Sequence, residues 1–205
     1  MNSPLAERMR PQRLDDFIGQ EHLVGQKGVL TSYKDQNLIP SLLFWGPPGV
    51  GKTTLAQLIA KDRPFQQLSA IESGVKEVRA VIQQAKRQDS LFSSQKRTVL
   101  FIDEIHRFSK SQQDALLGAV EKGWITLIGA TTENPSFEVI PALRSRCQLY
   151  ILESLSKDQH ISILKQAISK DEQLQQKSIV LQETDALIRY SGGDARRLLN
   201  LFELC

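Results

Sequence analysis

Residues Gly46-Pro47-Pro48-Gly49-Val50-Gly51-Lys52-Thr53 fit the pattern G-x-x-x-x-G-K-[ST], and no other stretch limits the fold of this chain so tightly. The pattern has meaning only between a strand and a helix. Both flanks are present. Leu42-Leu43-Phe44-Trp45 enters as an apolar strand, and Thr54-Leu55-Ala56-Gln57-Leu58-Ile59-Ala60-Lys61 leaves as a helix. Glycine reaches dihedrals closed to other residues, so the backbone can curl around a phosphate. The freed N–H groups then point inward, and the helix N-terminus adds partial positive charge. Residues Gly46 to Thr54 are the expected nucleotide contacts. Lys52 should reach the β- and γ-phosphates, and Thr53 should place its hydroxyl on Mg²⁺. A plain Gly/Pro turn before a helix is the competing reading, and the register of strand, loop, Lys-Thr and helix argues against it.

Thr98-Val99-Leu100-Phe101-Ile102 is a continuous apolar run that ends in Asp103-Glu104. Such a run reads as a strand buried on both faces of a parallel sheet. Ligands of these sheets bind at the carboxyl ends of the strands. Asp103 is therefore expected to hold Mg²⁺, and Glu104, one residue on, to orient and deprotonate an attacking water. Two adjacent buried acids are costly unless a cation or polar partners receive them. The alternative is an Asp that caps the next helix beside a surface Glu.

A chain of 205 residues can bury one α/β core with a small appended unit. No apolar stretch approaches the roughly 18 residues of a membrane span, and the N-terminus does not read as a signal peptide. Cys147 and Cys205 form neither a disulfide framework nor a metal cluster, which suits a reduced, cytoplasmic setting with no membrane partner. The net charge of +3 neither requires nor excludes nucleic acid.

Residues 1–40 read as a polar lead-in with a helix around Val29-Asn37. Strands are expected at about 42–45, 65–69, 98–102, 125–130 and 148–152, with helices at 52–62, 74–88, 111–122 and 137–144. Val75, Val78, Ile82 and Ala85 mark one face of the second helix. Ser111 is the expected cap of the third, Gly123 its stop, and Gly118 a weak point inside it. Alternating strands and helices mean a parallel five-stranded sheet with helices on both faces. Leu91 to Arg97 reads as a loop. Beyond Leu155 the character changes: Asp158–Lys170, Thr184–Ser191 and Asp194–Glu203 read as helices, and Ser178-Ile179-Val180-Leu181 as a short extended piece. The expected organisation is an α/β core over 1–155 and a partial helical lid over 156–205. Because the last apolar helical run has an uncovered face, the chain is expected to be a piece of a longer protein.

Several strings carry a family resemblance: Pro4-Leu5-Ala6-Glu7-Arg8-Met9-Arg10-Pro11, Leu14-Asp15-Asp16-Phe17-Ile18-Gly19-Gln20, Asp103-Glu104-Ile105-His106-Arg107-Phe108, Gly129-Ala130-Thr131-Thr132-Glu133-Asn134-Pro135-Ser136-Phe137-Glu138 and Gly192-Gly193-Asp194-Ala195-Arg196-Arg197. The chain resembles the P-loop ATPases of AAA+ type, and within them the replication-associated recombination protein A group, whose eukaryotic relative is the Werner-helicase-interacting protein. The resemblance implies ATP and Mg²⁺ as cofactors. It implies that Phe17 and Ile18 lie along the adenine, and that Thr132 or Asn134 is the sensor-1 residue beside the attacking water. It further implies that Arg146 is an arginine finger serving a neighbouring subunit and that Arg196 is sensor 2. Arg144 is a departure from the pattern and competes with Arg146. His106 and His22 read as packed or hydrogen-bonded structural histidines, and Ser69 as a candidate restraint on Glu104.

The family also implies a cytoplasmic, nucleoid-associated homo-oligomer, often a tetramer, which acts on forked or single-stranded DNA and meets single-strand-binding protein. Its tetramerising segment would lie beyond Cys205, so this chain alone would be monomeric. Three alternatives remain open: a clamp-loader-like ATPase, a Holliday-junction branch-migration ATPase, and a nucleotide-switched protein-binding platform.

Overall fold

The computed structural model describes residues 3–36, 38–91 and 97–205. The five strands among them are β1 (Leu42–Trp45), β2 (Phe65–Ser69), β3 (Thr98–Asp103), β4 (Ile125–Thr131) and β5 (Gln148–Ile151). They form one sheet in the order β2-β3-β4-β1-β5, and every pairing is parallel. The strand that enters the glycine loop and the strand that ends in the acid pair are therefore not neighbours. β4 lies between them and ends at Thr131, with Thr132 next in the chain.

The helices before the sheet are the short α1 (Leu5–Arg8) and α2 (Glu21–Val24), with α3 (Val29–Asp35) leading to β1. Between strands run α4 (Lys52–Ile59), α5 (Val75–Leu91), α6 (Lys110–Glu121), α7 (Pro135–Glu138) and α8 (Pro141–Arg144). After β5 come α9 (Lys157–Lys170), α10 (Glu172–Gln175), α11 (Asp185–Ser191) and α12 (Ala195–Leu204). None of these helices is long and apolar enough to cross a membrane.

Side chains of a strand alternate between the two faces of its sheet, and here that alternation builds two cores. Leu42, Phe44, Val99, Phe101, Ile128 and Ala130 pack on one face with Leu30, Leu55 and Ile59 from α3 and α4. Leu43, Leu100, Ile102, Ile125 and Leu127 pack on the other with Val78, Ala85, Leu116 and Leu143 from α5, α6 and α8. Central β4 is buried throughout, whereas edge strand β5 is mostly exposed. A third cluster joins Leu164, Ala167, Leu174, Leu198, Leu199 and Phe202 of the last helices to Leu5 of α1.

The structure corrects three expectations. The cap of α6 is Ser109, not Ser111: Ser109 and Gln112 form a reciprocal capping box two residues before the expected position. The expected helix over 137–144 is two short ones, each with proline in its first turn. Proline lacks an N–H and holds its predecessor extended, so Pro141 stops the first helix from continuing into the second. Ser178–Leu181, read as a short extended piece, joins no sheet, and Ile179 and Leu181 pack against the third cluster. α5 runs on to Leu91, and the rest of the loop expected to follow it, residues 92–96, lies outside the described residues.

Candidate active site

The phosphate-loop sequence turns through two left-handed glycines, Gly49 (φ 74°) and Gly51 (φ 95°), before α4 begins at Lys52. A side chain at either would collide. A Cβ on Gly51 would come within 2.6 Å of Phe17 Cζ, and one on Gly49 would overlap Asp194. The loop is thus pressed between the lead-in, which carries Phe17, and the turn before α12, which carries Asp194. Lys52 is buried, and its Nζ donates to the carbonyls of Gly46 (2.7 Å) and Pro47 (2.8 Å). Burial pushes the Lys52 ammonium below its ordinary value, while Glu104, Asp103 and Asp194 pull it back up.

A cavity of about 260 Å³ opens beside this loop. Its floor is Pro48 to Thr54 and its acidic wall is Asp103 and Glu104. Phe17 and Ile18 close one side, and Leu155, Ile163, Asp194 and Arg196 close the other. Gly46 and Pro47 do not line it; they face Lys52 through their carbonyls.

Asp103 ends β3, and burial, reinforced by repulsion from Glu104, raises its carboxyl above the ordinary aspartate value. Lys52 and Arg196 act on it in the opposite direction. A desolvated carboxyl beside a second acid is a group waiting for positive charge. Among the described residues no three His, Cys, Asp or Glu side chains gather as a metal cage. Thr53 and Asp103 both line the cavity and carry oxygens of the kind a divalent ion takes. That donor set fits Mg²⁺, which takes one or two protein oxygens and fills its octahedron with phosphate and water.

Glu104 is a non-glycine residue in the left-handed region (φ 52°, ψ 46°). Strain of this kind is kept where it aims a side chain. The Glu104 carboxylate accepts from the Thr132 hydroxyl (3.2 Å) and, at 3.4 Å, from the Thr132 amide. His106 also reaches it, Nδ1 to Oε2 at 3.2 Å. The structure therefore assigns the two sensor-1 candidates different surroundings. Thr132 meets Glu104, whereas the Asn134 side chain accepts from Ser136 N and caps α7.

Arg146 is not in this cavity. It lies half-exposed after α8 and donates to Glu121 (3.0 Å) and Ser145 (2.9 Å). Arg144 donates to the Ser136 carbonyl instead. His106, read from sequence as a packed or hydrogen-bonded residue, is a partner of Glu104; its second contact, Thr131, is 25 positions away, a link no local pattern announces.

A family model, the ATPase family associated with various cellular activities (AAA), matches residues 42–155. Replication-associated recombination protein A of Escherichia coli (strain K12) is 46% identical, over 98% of this chain and 45% of that protein. The protein of the same name from Haemophilus influenzae is 45% identical, over 98% of this chain and 46% of its own length. ATPase WRNIP1 of Dictyostelium discoideum is 42% identical over 98% of this chain and 23% of its own length. The chain spans less than half the length of these relatives. Among solved structures, a variant of RuvB from Thermotoga maritima superposes with a TM-score of 0.75 at 30% identity, over 95% of this chain and 64% of that one.

Proposed function

This chain belongs to the AAA family of ATPases, and from that premise we propose that it hydrolyses ATP to ADP and phosphate with Mg²⁺ and couples the reaction to work on DNA in replication and recombination. One observation carries the reading: the phosphate loop, the acid pair and Arg196 open onto the same cavity, and Thr132 holds the Glu104 carboxylate from behind.

Each group then has a task. Loop amides and Lys52 hold the β- and γ-phosphates, with Lys52 leaving the Gly46 and Pro47 carbonyls for phosphate oxygens. Phe17 and Ile18 supply the apolar side for the base. Thr53 and Asp103 hold Mg²⁺, which when bound neutralises charge building on the transferred phosphoryl group. Glu104 takes the proton of the attacking water, and Thr132, as sensor 1, orients that water. Arg196 lies close enough to influence Asp103 and, as sensor 2, ties the helices after Leu155 to the nucleotide as a lid. Arg146 completes a neighbouring protomer's site. A guanidinium stays charged and forks onto phosphate oxygens, and a finger of this kind is worth on the order of 10³–10⁵ in rate. A lone protomer, with no neighbour's finger in its pocket, should hydrolyse slowly, and turnover per protomer should rise with protein concentration.

The names of the relatives support DNA replication and recombination as the process. Forked or single-stranded DNA, single-strand-binding protein, a homo-oligomer such as a tetramer, and a cytoplasmic, nucleoid-associated location complete the proposal. The test is Glu104→Gln, assayed for ATP binding and for turnover with single-stranded, forked and blunt duplex DNA. A lost general base should lower turnover on the order of 10²–10⁴-fold while ATP still binds. Turnover equal to wild type would remove Glu104 from the reaction. No response to any DNA would favour the nucleotide-switched platform.

A further inference from the structure

His106 stands behind Glu104, and the directions of its hydrogen bonds can be worked out. Nδ1 lies 3.0 Å from Thr131 Oγ1 and 3.2 Å from Glu104 Oε2. The Thr131 hydroxyl donates to the Glu133 carbonyl (3.1 Å) and accepts from the Glu133 amide (3.0 Å). Its one proton is spent, so it can offer the imidazole only a lone pair. An ionised carboxylate likewise offers only lone pairs. Both neighbours of Nδ1 are acceptors, so Nδ1 must carry the hydrogen.

The surroundings make this a fixed arrangement. Thr131 is the last residue of β4 and fully buried, and the His106 side chain is 9% exposed. His106 sits in a single 3₁₀ turn, Ile105–Arg107, that starts from the left-handed Glu104. The ring therefore bridges the acid at the end of β3 to the end of β4, one residue before Thr132. The contacts from Thr132 and His106 fall on the same oxygen, Oε2. A glutamate carboxylate otherwise turns freely about its last bond.

We propose that His106, braced by Thr131, is a positioning residue for the hydrolytic base. It pins Oε2 of Glu104 so that Oε1 is the oxygen presented to the attacking water, and it makes the aim of the base depend on where the end of β4 lies. A shift of Thr131 and Thr132 on nucleotide binding would then turn the carboxylate with it. The logic parallels a carboxylate that holds a catalytic imidazole in one orientation, with the roles of the two groups exchanged. The proposal rests on the reading of Glu104 as base.

The experiment uses His106→Ala, His106→Asn and Glu104→Gln. Asparagine can place an amide N–H where Nδ1–H stood, but without the bulk of the ring. His106→Ala should lower kcat on the order of 10- to 100-fold, as misplacement of a reacting group does, with KM and the Kd for a non-hydrolysable ATP analogue unchanged. His106→Asn should restore most of the loss. In a Glu104→Gln background, His106→Ala should cost nothing more, as expected for two residues that act as one unit. A second readout is independent of turnover. The chain has three histidines, and ¹⁵N NMR of their rings should show His106 protonated at Nδ1, with that signal moved by Glu104→Gln. Wild-type kcat in His106→Ala, a loss that His106→Asn does not restore, or an unprotonated Nδ1 would each overturn the proposal. Wild-type turnover in Glu104→Gln alone would instead overturn the assignment of the base, and the ring signals would still report the hydrogen bond.

Discussion

The phosphate-loop lysine and the residues around Glu104 show what single positions contribute. Lys52→Ala should abolish measurable ATP binding, read by fluorescence titration with a labelled analogue, because nothing else on the loop supplies a mobile cation. Thr132 and Asn134 are two residues apart, both small and polar, and both follow β4. Sequence leaves them equivalent, since only the path of the backbone decides which one turns toward Glu104. With Thr132 on Glu104 and the Asn134 oxygen engaged at the start of α7, their variants should part company. Thr132→Ala should lower turnover about 100-fold or more, the scale of a lost donor at a reacting centre. Asn134→Ala should chiefly cost about 1 kcal/mol of stability through its lost cap. Asp103 and Glu104 were legible because a buried apolar run ending in two acids has few uses. The partners of His106 were not, because Thr131 stands 25 positions away and the left-handed turn at Glu104 decides where its carboxylate points.

At the level of elements, the strands were readable to within a residue or so. Each is a short apolar run bounded by turn residues, but the order of the strands was not readable: β2, the extra strand between the two motifs in sequence, lies at the sheet edge, and β4, which follows both, lies between β1 and β3. Helix ends were harder, because they depend on which of several neighbouring serines faces the first amides. Ser109 takes the cap of α6 because Gln112, three residues on, closes the box with it. Inside the same helix, Gly118 has open space where a Cβ would stand. Gly118→Ala should therefore stabilise the protein by about 0.5–1 kcal/mol, through helix propensity and a less flexible unfolded chain. A thermal melt that fell instead would mean that the space is needed.

Across the whole molecule, the lead-in and the last helices hold each other. Arg8 donates to Asp171 (2.6 Å) and Glu203 (2.7 Å), and the Leu5 amide donates to Glu203 (2.8 Å). Asp171 is nearly buried and Arg8 mostly so. The hydrogen bond from Arg8 holds the Asp171 carboxyl below its ordinary value, and that from the Leu5 amide does the same for Glu203. Lowered carboxyl values mean stability that is fully present above the unfolded-state value, near pH 4, and lost as pH falls through the lower folded-state value. Urea titrations below about pH 4 should show wild type losing this margin and Arg8→Ala having little of it left to lose. At neutral pH, Arg8→Ala should cost about 2–3 kcal/mol, less than the roughly 3–5 of a fully buried pair. This link was illegible in sequence because its partners stand 163 and 195 positions apart.

That clasp also turns an open string into a ring. Leu5 and Glu203, 198 positions apart, share one hydrogen bond, so dyes attached near the two would sit within about a helix diameter, on the order of 10 Å. Their separation would report whether the lead-in and the last helices, which both line the pocket, stay fastened when a nucleotide is added.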